Sequence, residues 1–190
     1  MRYVCRMSSR FGLQLASQIC RTGGVIAYPT ESVYGLGCDP LNETSVYRLL
    51  ELKQRRVEKG LILISDNLNK LLPFIDVNPQ QQTLLLQLQD RPTTWLVPAT
   101  AFTPIWIRGE HAKVAVRITR HRVAAELCAC LPWPIVSTSA NPAKKQAARN
   151  ALRVRQYFDE RLDAIISAPV NVKGKPSVIR DLETGEILRA

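Results

Sequence analysis

Lys53-Gln54-Arg55-Arg56-Val57-Glu58-Lys59-Gly60 packs four cations into seven residues, between an amphipathic helical pattern and the apolar run Leu61-Ile62-Leu63-Ile64. Cations held on a rigid scaffold suit the grip of an anion, such as the phosphates of a nucleotide. The same octet also reads as a solvated helix end, where Lys and Arg complement the dipole. Three more polar clusters close apolar runs: Thr30-Glu31-Ser32, Arg117, and Ser137-Thr138-Ser139-Ala140-Asn141. Hydroxyls and backbone N–H groups in such loops can hold phosphate or carboxylate, and Arg binds either anion bidentately. Plainer readings stand beside these: a Ser/Thr turn after a strand, and a structural salt bridge for Arg117.

Other chemistries find less support. Neither G-x-x-x-x-G-K-[ST] nor G-x-G-x-x-G occurs, so the common phosphate cradles are missing. Ser137 and Ser139 lack a G-x-S-x-G context, and neither His111 nor His121 lies in a partner motif for a hydrolase. His121 is expected to be solvated near a helix start. Trp95, Trp106 and Trp133 read as packing residues, since no RNP-like motif surrounds them. The five cysteines, Cys5, Cys20, Cys38, Cys128 and Cys130, form no C-x-x-C pair and suggest free thiols in a reducing compartment. No signal-peptide core or membrane-length apolar stretch is found, so a cytoplasmic location is expected. A net charge of +10 favours polyanionic partners, nucleic acid first. The 190 residues, 46% of them hydrophobic, fit one globular domain spanning 1–190.

Periodicity supplies the elements that must position these groups. Phe11, Leu15 and Ile19 recur at spacing four, predicting a helix over about 10–21 that Gly23-Gly24 stops. Val25 to Tyr28 reads as a buried strand closed by Pro29, and 30–39 as a loop. A second helix over about 43–53 presents Val46, Leu49 and Leu50 inward, ahead of a strand at Leu61 to Ile64. Asn67 is placed to cap a short helix ended by Pro73, and Thr83 to Leu88 belongs to another that can begin near Pro79. Trp95-Leu96-Val97 reads as a strand, and Val114 to Thr119 alternates so that Arg117 points away from the valines. Val123 to Cys128 suits a helix and Ile135-Val136 a buried strand. Lys144, Lys145, Arg149, Arg153 and Arg155 form a basic region, helical around Leu152. Late strands fall at Ile165-Ile166, Ser177 to Ile179 and Ile187-Leu188, with a turn at Asp181 to Gly185. Alternating strands and helices predict an α/β fold, with ligands expected at strand ends.

Taken together, five ordered segments resemble the YrdC/TsaC family, the threonylcarbamoyl-AMP synthases. They are Ala27 to Asp39, Leu52 to Arg55 with Lys59 to Ile62, Val114 to Arg117, Ser137 to Asn141, and Pro176 to Asp181. The resemblance covers nearly the whole chain and implies a YrdC/RibB-like twisted mixed sheet with flanking helices and a positively charged concave face. It implies a nucleotidyltransferase that converts L-threonine, bicarbonate and ATP into threonylcarbamoyl-adenylate and pyrophosphate, for threonylcarbamoyladenosine modification of tRNA next to the anticodon. It places a catalytic tetrad on Lys53, Arg55, Ser139 and Asn141. ATP is implied at Arg55, Lys59, Ser139, Asn141 and Ser177, and L-threonine at Thr30, Ser32, Arg117 and Ser137. Mg2+ is expected to arrive with ATP, without a protein-ligated metal. The partners implied are other tRNA threonylcarbamoyl-transfer proteins, and tRNA or double-stranded RNA. The extra C-terminal domain of longer relatives is not expected, and three segments depart from the family pattern: Arg91 to Thr94, Gly60 to Ile62, and Pro142 to Lys145. A non-catalytic module that binds double-stranded RNA or tRNA is the alternative, resting on the charge and the Lys144 to Arg155 cluster.

Overall fold

The computed structural model describes residues 9–171, 174 and 176–189; Cys5 lies outside them. The chain begins with α1 (Arg10–Arg21), β1 (Ile26–Pro29), β2 (Tyr34–Gly37), α2 (Glu43–Lys53) and β3 (Ile62–Ser65). It continues through α3 (Pro79–Leu86), β4 (Thr93–Pro98), α4 (Ile105–Arg108), β5 (Lys113–Ile118) and α5 (Arg122–Ala129). It closes with β6 (Ile135–Ser139), α6 (Ala151–Phe158), β7 (Ala164–Ile165), β8 (Val178–Asp181) and β9 (Ile187–Arg189). The strands form one mixed sheet of nine in the order β7-β1-β2-β6-β3-β5-β4-β8-β9. Only β7–β1, β3–β5 and β4–β8 pair in parallel.

Two apolar layers cover the sheet. On one face, Ile26, Tyr28, Ile64 and Ile135 pack against Leu13, Ala16 and Cys20 of α1 and Val123, Ala124, Leu127 and Cys128 of α5. On the other, Tyr34, Leu36, Leu63, Val97, Val116 and Val136 meet Val46, Leu49 and Leu50 of α2 and Val154 and Phe158 of α6. Strand alternation makes the two sets separate, because successive side chains point to opposite faces. Arg117 pairs with Ile64 and Ser137 with Ile62, so both project on the face that carries α1 and α5. The helices of that face begin on side-chain caps: Ser9 accepts from the Gly12 N–H, and the His121 ring from the Ala124 N–H.

Several expectations needed correction. The segment 30–39 is not all loop, since Tyr34–Gly37 is β2, an interior strand between β1 and β6. Its two glycines hid it: a Cβ on Gly37 would lie 2.5 Å from the Val136 carbonyl oxygen, so only glycine permits that approach. The α1 helix is as expected, but its buried face is Leu13, Ala16 and Cys20, while Phe11 is 73% exposed. Asn67 closes a turn by accepting from the Lys70 N–H, and Pro73 sits inside a 3-10 turn at Leu72–Phe74 rather than ending a helix. The α3 helix starts at Pro79, behind a capping box of Asn78 and Gln81, and ends at Leu86 rather than Leu88. His121 is half-buried as the cap of α5, not solvated. The four-residue α4 was not anticipated.

Candidate active site

The tetrad starts from the way α2 ends. Gln54 adopts the left-handed conformation, and the Arg55 N–H reaches back to the Leu50 carbonyl at 3.0 Å. This reversal turns Lys53 into the fold while sending Arg55 toward the next turn. Lys53 is 6% exposed, a rare state for a lysine. Its Nζ donates to the carbonyls of Ser139 and of Asn141 (2.8 Å), to Asn141 Oδ1 (3.1 Å) and to Ser139 Oγ (3.3 Å). Three protons thus face four acceptors. Burial first, and then the charge of Arg55, lowers the lysine to about 8.

Asn141 is consumed by the same knot. Its Oδ1 also accepts from Ser139 Oγ at 2.7 Å, and its Nδ2 donates to the carbonyls of Pro142 (3.0 Å) and Lys145 (2.8 Å). Both amide hydrogens therefore shape the loop 141–145, in which Lys144 takes a positive φ of 61°. Ser139 remains exposed at the end of β6, beside a loop with two exposed lysines, Lys144 and Lys145.

Arg55 is half-buried and anchored on the turn at Val57–Lys59. Its Nε and Nη2 donate to the Gly60 carbonyl (3.3 and 2.8 Å), and Nη2 also to the Lys59 carbonyl (3.1 Å). Among the described residues its Nη1 makes no hydrogen bond. Gly60 has φ of 61°, and α4 supports the turn from below, where the Leu61 N–H donates to the Ile107 carbonyl. Lys59 is exposed on this turn. The geometry therefore divides the octet: Lys53 is a buried strut, whereas Arg55 and Lys59 sit at the surface of the cleft.

A second group of side chains gathers around Arg117. Its guanidinium is 3.4 Å from Glu31, and its Nε is buried without a hydrogen-bond partner. The cation and the Thr119 hydroxyl hold Glu31 below its ordinary range, although burial acts to raise it. Ser137 Oγ lies beside the buried Tyr28 hydroxyl, and both stand against Gly35, where a Cβ would sit 3.5 Å from Ser137 Oγ and 3.4 Å from Thr30 Cγ2. The Thr30 hydroxyl is committed to the turn, donating to the Val33 carbonyl at 2.7 Å. Ser32 is buried beneath Gly174, whose own Cβ would come 3.2 Å from it. The segment after β7 is fixed there by Tyr34, whose hydroxyl donates to the Ala168 carbonyl and accepts from its N–H.

Ser177 belongs to this second group. It accepts from Thr94 Oγ1 at 3.0 Å and from Arg189 Nη2 at 3.3 Å. Burial, then the like charge of Arg117, lowers Arg189, which stands on the exposed last strand. Thr94, Arg189 and the pairing of Glu31 with Arg117 were not foreseen. Cross-strand register aligns Thr94 and Arg189, since β4 joins β8 through Thr94 and Ile179 and β8 joins β9 through Ile179 and Arg189, whereas Glu31 reaches Arg117 from the loop after β1.

Residues 18–190 match the Sua5/YciO/YrdC family model, which is described as telomere recombination. A threonylcarbamoyl-AMP synthase of Pseudomonas aeruginosa PAO1 is 50% identical over 184 residues, 96% of this chain and 99% of that protein. Another, from Cellvibrio japonicus, is 51% identical over 175 residues, 92% of this chain and 93% of its own length. The crystal structure of P. abyssi Sua5 complexed with L-threonine superposes with a TM-score of 0.84 at 29% identity, over 91% of this chain. This chain spans about half of that longer protein, 51%. E. coli YciO shares the fold, with a TM-score of 0.82 at 23% identity over 95% of this chain and 89% of its own.

Proposed function

The chain belongs to the Sua5/YciO/YrdC family, and on that footing we propose that it is a threonylcarbamoyl-AMP synthase. The reaction joins L-threonine, bicarbonate and ATP into threonylcarbamoyl-adenylate and pyrophosphate, for threonylcarbamoyl modification of tRNA. The observation that carries the reading is the knot of Lys53, Ser139 and Asn141 beside Arg55. It fixes a polar loop at the end of β6, while Arg55 is held separately on the Lys59 and Gly60 carbonyls.

In this mechanism the threonine amine captures CO2 derived from bicarbonate. The resulting N-carboxylate oxygen attacks the α-phosphorus of ATP, and the bond to the β,γ-pyrophosphate breaks. Such a transfer depends on positioning and charge stabilisation more than on a protein nucleophile. Arg55 and Lys59 face the triphosphate, and magnesium arrives as part of that substrate. Ser139 and the ordered loop 141–145 hold the nucleotide, while Lys53 acts by positioning them. Arg117 takes the carboxylate of threonine, with Ser32 and Ser137 beside it and Thr30 shaping the turn. Ser177, bonded to Thr94 and Arg189 within the Arg117 group, is assigned to the nucleotide by family resemblance.

The chemistry is tested by pyrophosphate release from Mg·ATP with bicarbonate, with and without L-threonine. Threonine-dependent release that disappears in Arg55→Ala supports the synthase; release indifferent to threonine refutes it. A cytoplasmic location and downstream tRNA-modifying partners belong to the same proposal. Among the described residues no helix is long and apolar enough to cross a membrane.

A second reading, RNA binding, is favoured by the exposure of Lys144, Lys145, Arg153 and Arg155 on the 141–150 segment and α6. The two readings share Lys144 and Lys145 of the loop assigned to the nucleotide, while Arg153 and Arg155 of α6 stand outside that site.

A further inference from the structure

Resting on the assignment of Arg117 to the threonine carboxylate, we propose that Glu31 is a charge filter for that subsite. It balances the charge of Arg117, so that an amino acid, neutral overall as its zwitterion, is accepted and a dianion such as phosphate is refused.

The pair is not built as a closed structural salt bridge. Glu31 Oε2 lies 3.4 Å from Arg117 Nη2, longer than a charge-assisted hydrogen bond. The other oxygen, Oε1, accepts from Thr119 Oγ1 at 3.0 Å. Oε2 itself is buried without a hydrogen-bond partner, and so is Arg117 Nε. The arginine side chain is only 9% exposed. Leaving one polar atom unmet on each member of a buried ion pair is costly, and buried polar atoms are ordinarily satisfied. The orphaned atoms point to a ligand that completes the cluster.

A count of fixed charge then gives Glu31 its task. Arg189 stands on the exposed strand β9, where solvent screens it. His121 faces the same cluster and is held below its usual range, chiefly by burial, so it stays neutral at neutral pH. The buried arginine and its glutamate therefore leave no net charge. Asp90, Arg91 and Arg120 line the cavity of about 160 Å³ on the far side of Glu31. They stand at more open positions, where solvent screening weakens them. Without Glu31, Arg117 would stand unbalanced in a poorly hydrated pocket, an arrangement that suits phosphate. Phosphate and the product pyrophosphate would then compete with the amino acid.

The sign of the effect separates this role from a structural one. Loss of a mere support weakens every ligand, whereas loss of a charge filter strengthens one class. The test is calorimetric titration of L-threonine and of inorganic phosphate into wild type, Glu31→Gln, Glu31→Ala and the double variant Glu31→Gln/Arg117→Ala. Glu31→Gln keeps the side-chain shape and an acceptor for Thr119. Wild type is expected to bind threonine and to bind phosphate weakly at most. Both single variants should bind phosphate at least about tenfold more tightly, with threonine displaced competitively. Removing Arg117 as well should abolish the gain, which assigns it to this pocket rather than to Arg55 and Lys59. Thermal unfolding verifies that each variant is folded. Unchanged or weakened phosphate binding in folded Glu31 variants, with threonine still bound by wild type, overturns the filter alone. Failure of wild type to bind threonine overturns the Arg117 assignment on which it rests.

Discussion

Lys53 is a cation used as a strut: it is buried and surrounded by oxygen atoms of the loop it organises. Folding lowers it from 10.5 to about 8, so between those values the unfolded chain holds a proton that the folded chain has released. Stability therefore rises with pH across that window, and the burden is fully present below pH 8. The burden relieved across this window is on the order of 3 kcal/mol. Urea unfolding at pH 7 and pH 10 should show wild type gaining about that much relative to Lys53→Gln, which cannot titrate. A gap that does not move with pH would contradict the account. Arg55 differs in kind, since it meets solvent and is anchored only to carbonyls. Arg55→Ala should cost no more than about 1.5 kcal/mol of stability. The same change should cut threonine-dependent pyrophosphate release by about a hundredfold or more.

At the scale of elements, the site depends on how α2 starts and on what β2 leaves out. Asn42 accepts from the Ser45 N–H at 3.0 Å as the cap of α2. Asn42→Ala should lower stability by about 1 kcal/mol in denaturant titrations. Gly37→Ala would press a methyl to 2.5 Å from the Val136 carbonyl and 2.8 Å from Tyr28. We expect a loss of at least about 2 kcal/mol there, together with impaired threonine binding, because Tyr28 adjoins Ser137. These elements also mark what the sequence revealed. The α2 face of Val46, Leu49 and Leu50 was legible because its period is helical. The β2 strand was not, because a strand of Tyr, Gly, Leu and Gly carries the composition of a turn. In α1, the apolar repeat at Phe11 misled because small residues, Gly12, Ala16 and Ser17, make the closer packing face. The payloads at strand ends were readable from residue type, whereas the company kept by Glu31, Thr94 and Arg189 is created by contacts between separate elements and leaves no local trace.

For the molecule as a whole, the net charge of +10 makes association with polyanions sensitive to salt. If the exposed cations of the 141–150 segment and α6 hold RNA, the logarithm of affinity should fall linearly with that of salt concentration. Reversing Lys144 and Lys145 to Glu should flatten the slope by roughly one to two. Filter binding at several salt concentrations measures this, and an unchanged slope removes the loop from the interface.

The strand β6 joins the two parts of the sheet, pairing with β2 through Thr138 and Ser139 and with β3 through Ile135, Val136 and Ser137. Ser137 stands with the Arg117 group and Ser139 with the Lys53 knot, so both halves of the proposed site borrow a hydroxyl from one short rod. One residue of strand, Thr138, separates them, a rise of about 7 Å. Whatever ordering one ligand imposes on the rod is inherited by the other half, and such a debt must run equally in both directions. Occupancy of the nucleotide side would then sharpen affinity for the amino acid by the same factor as the reverse. The two substrates become cooperative partners before any bond between them exists.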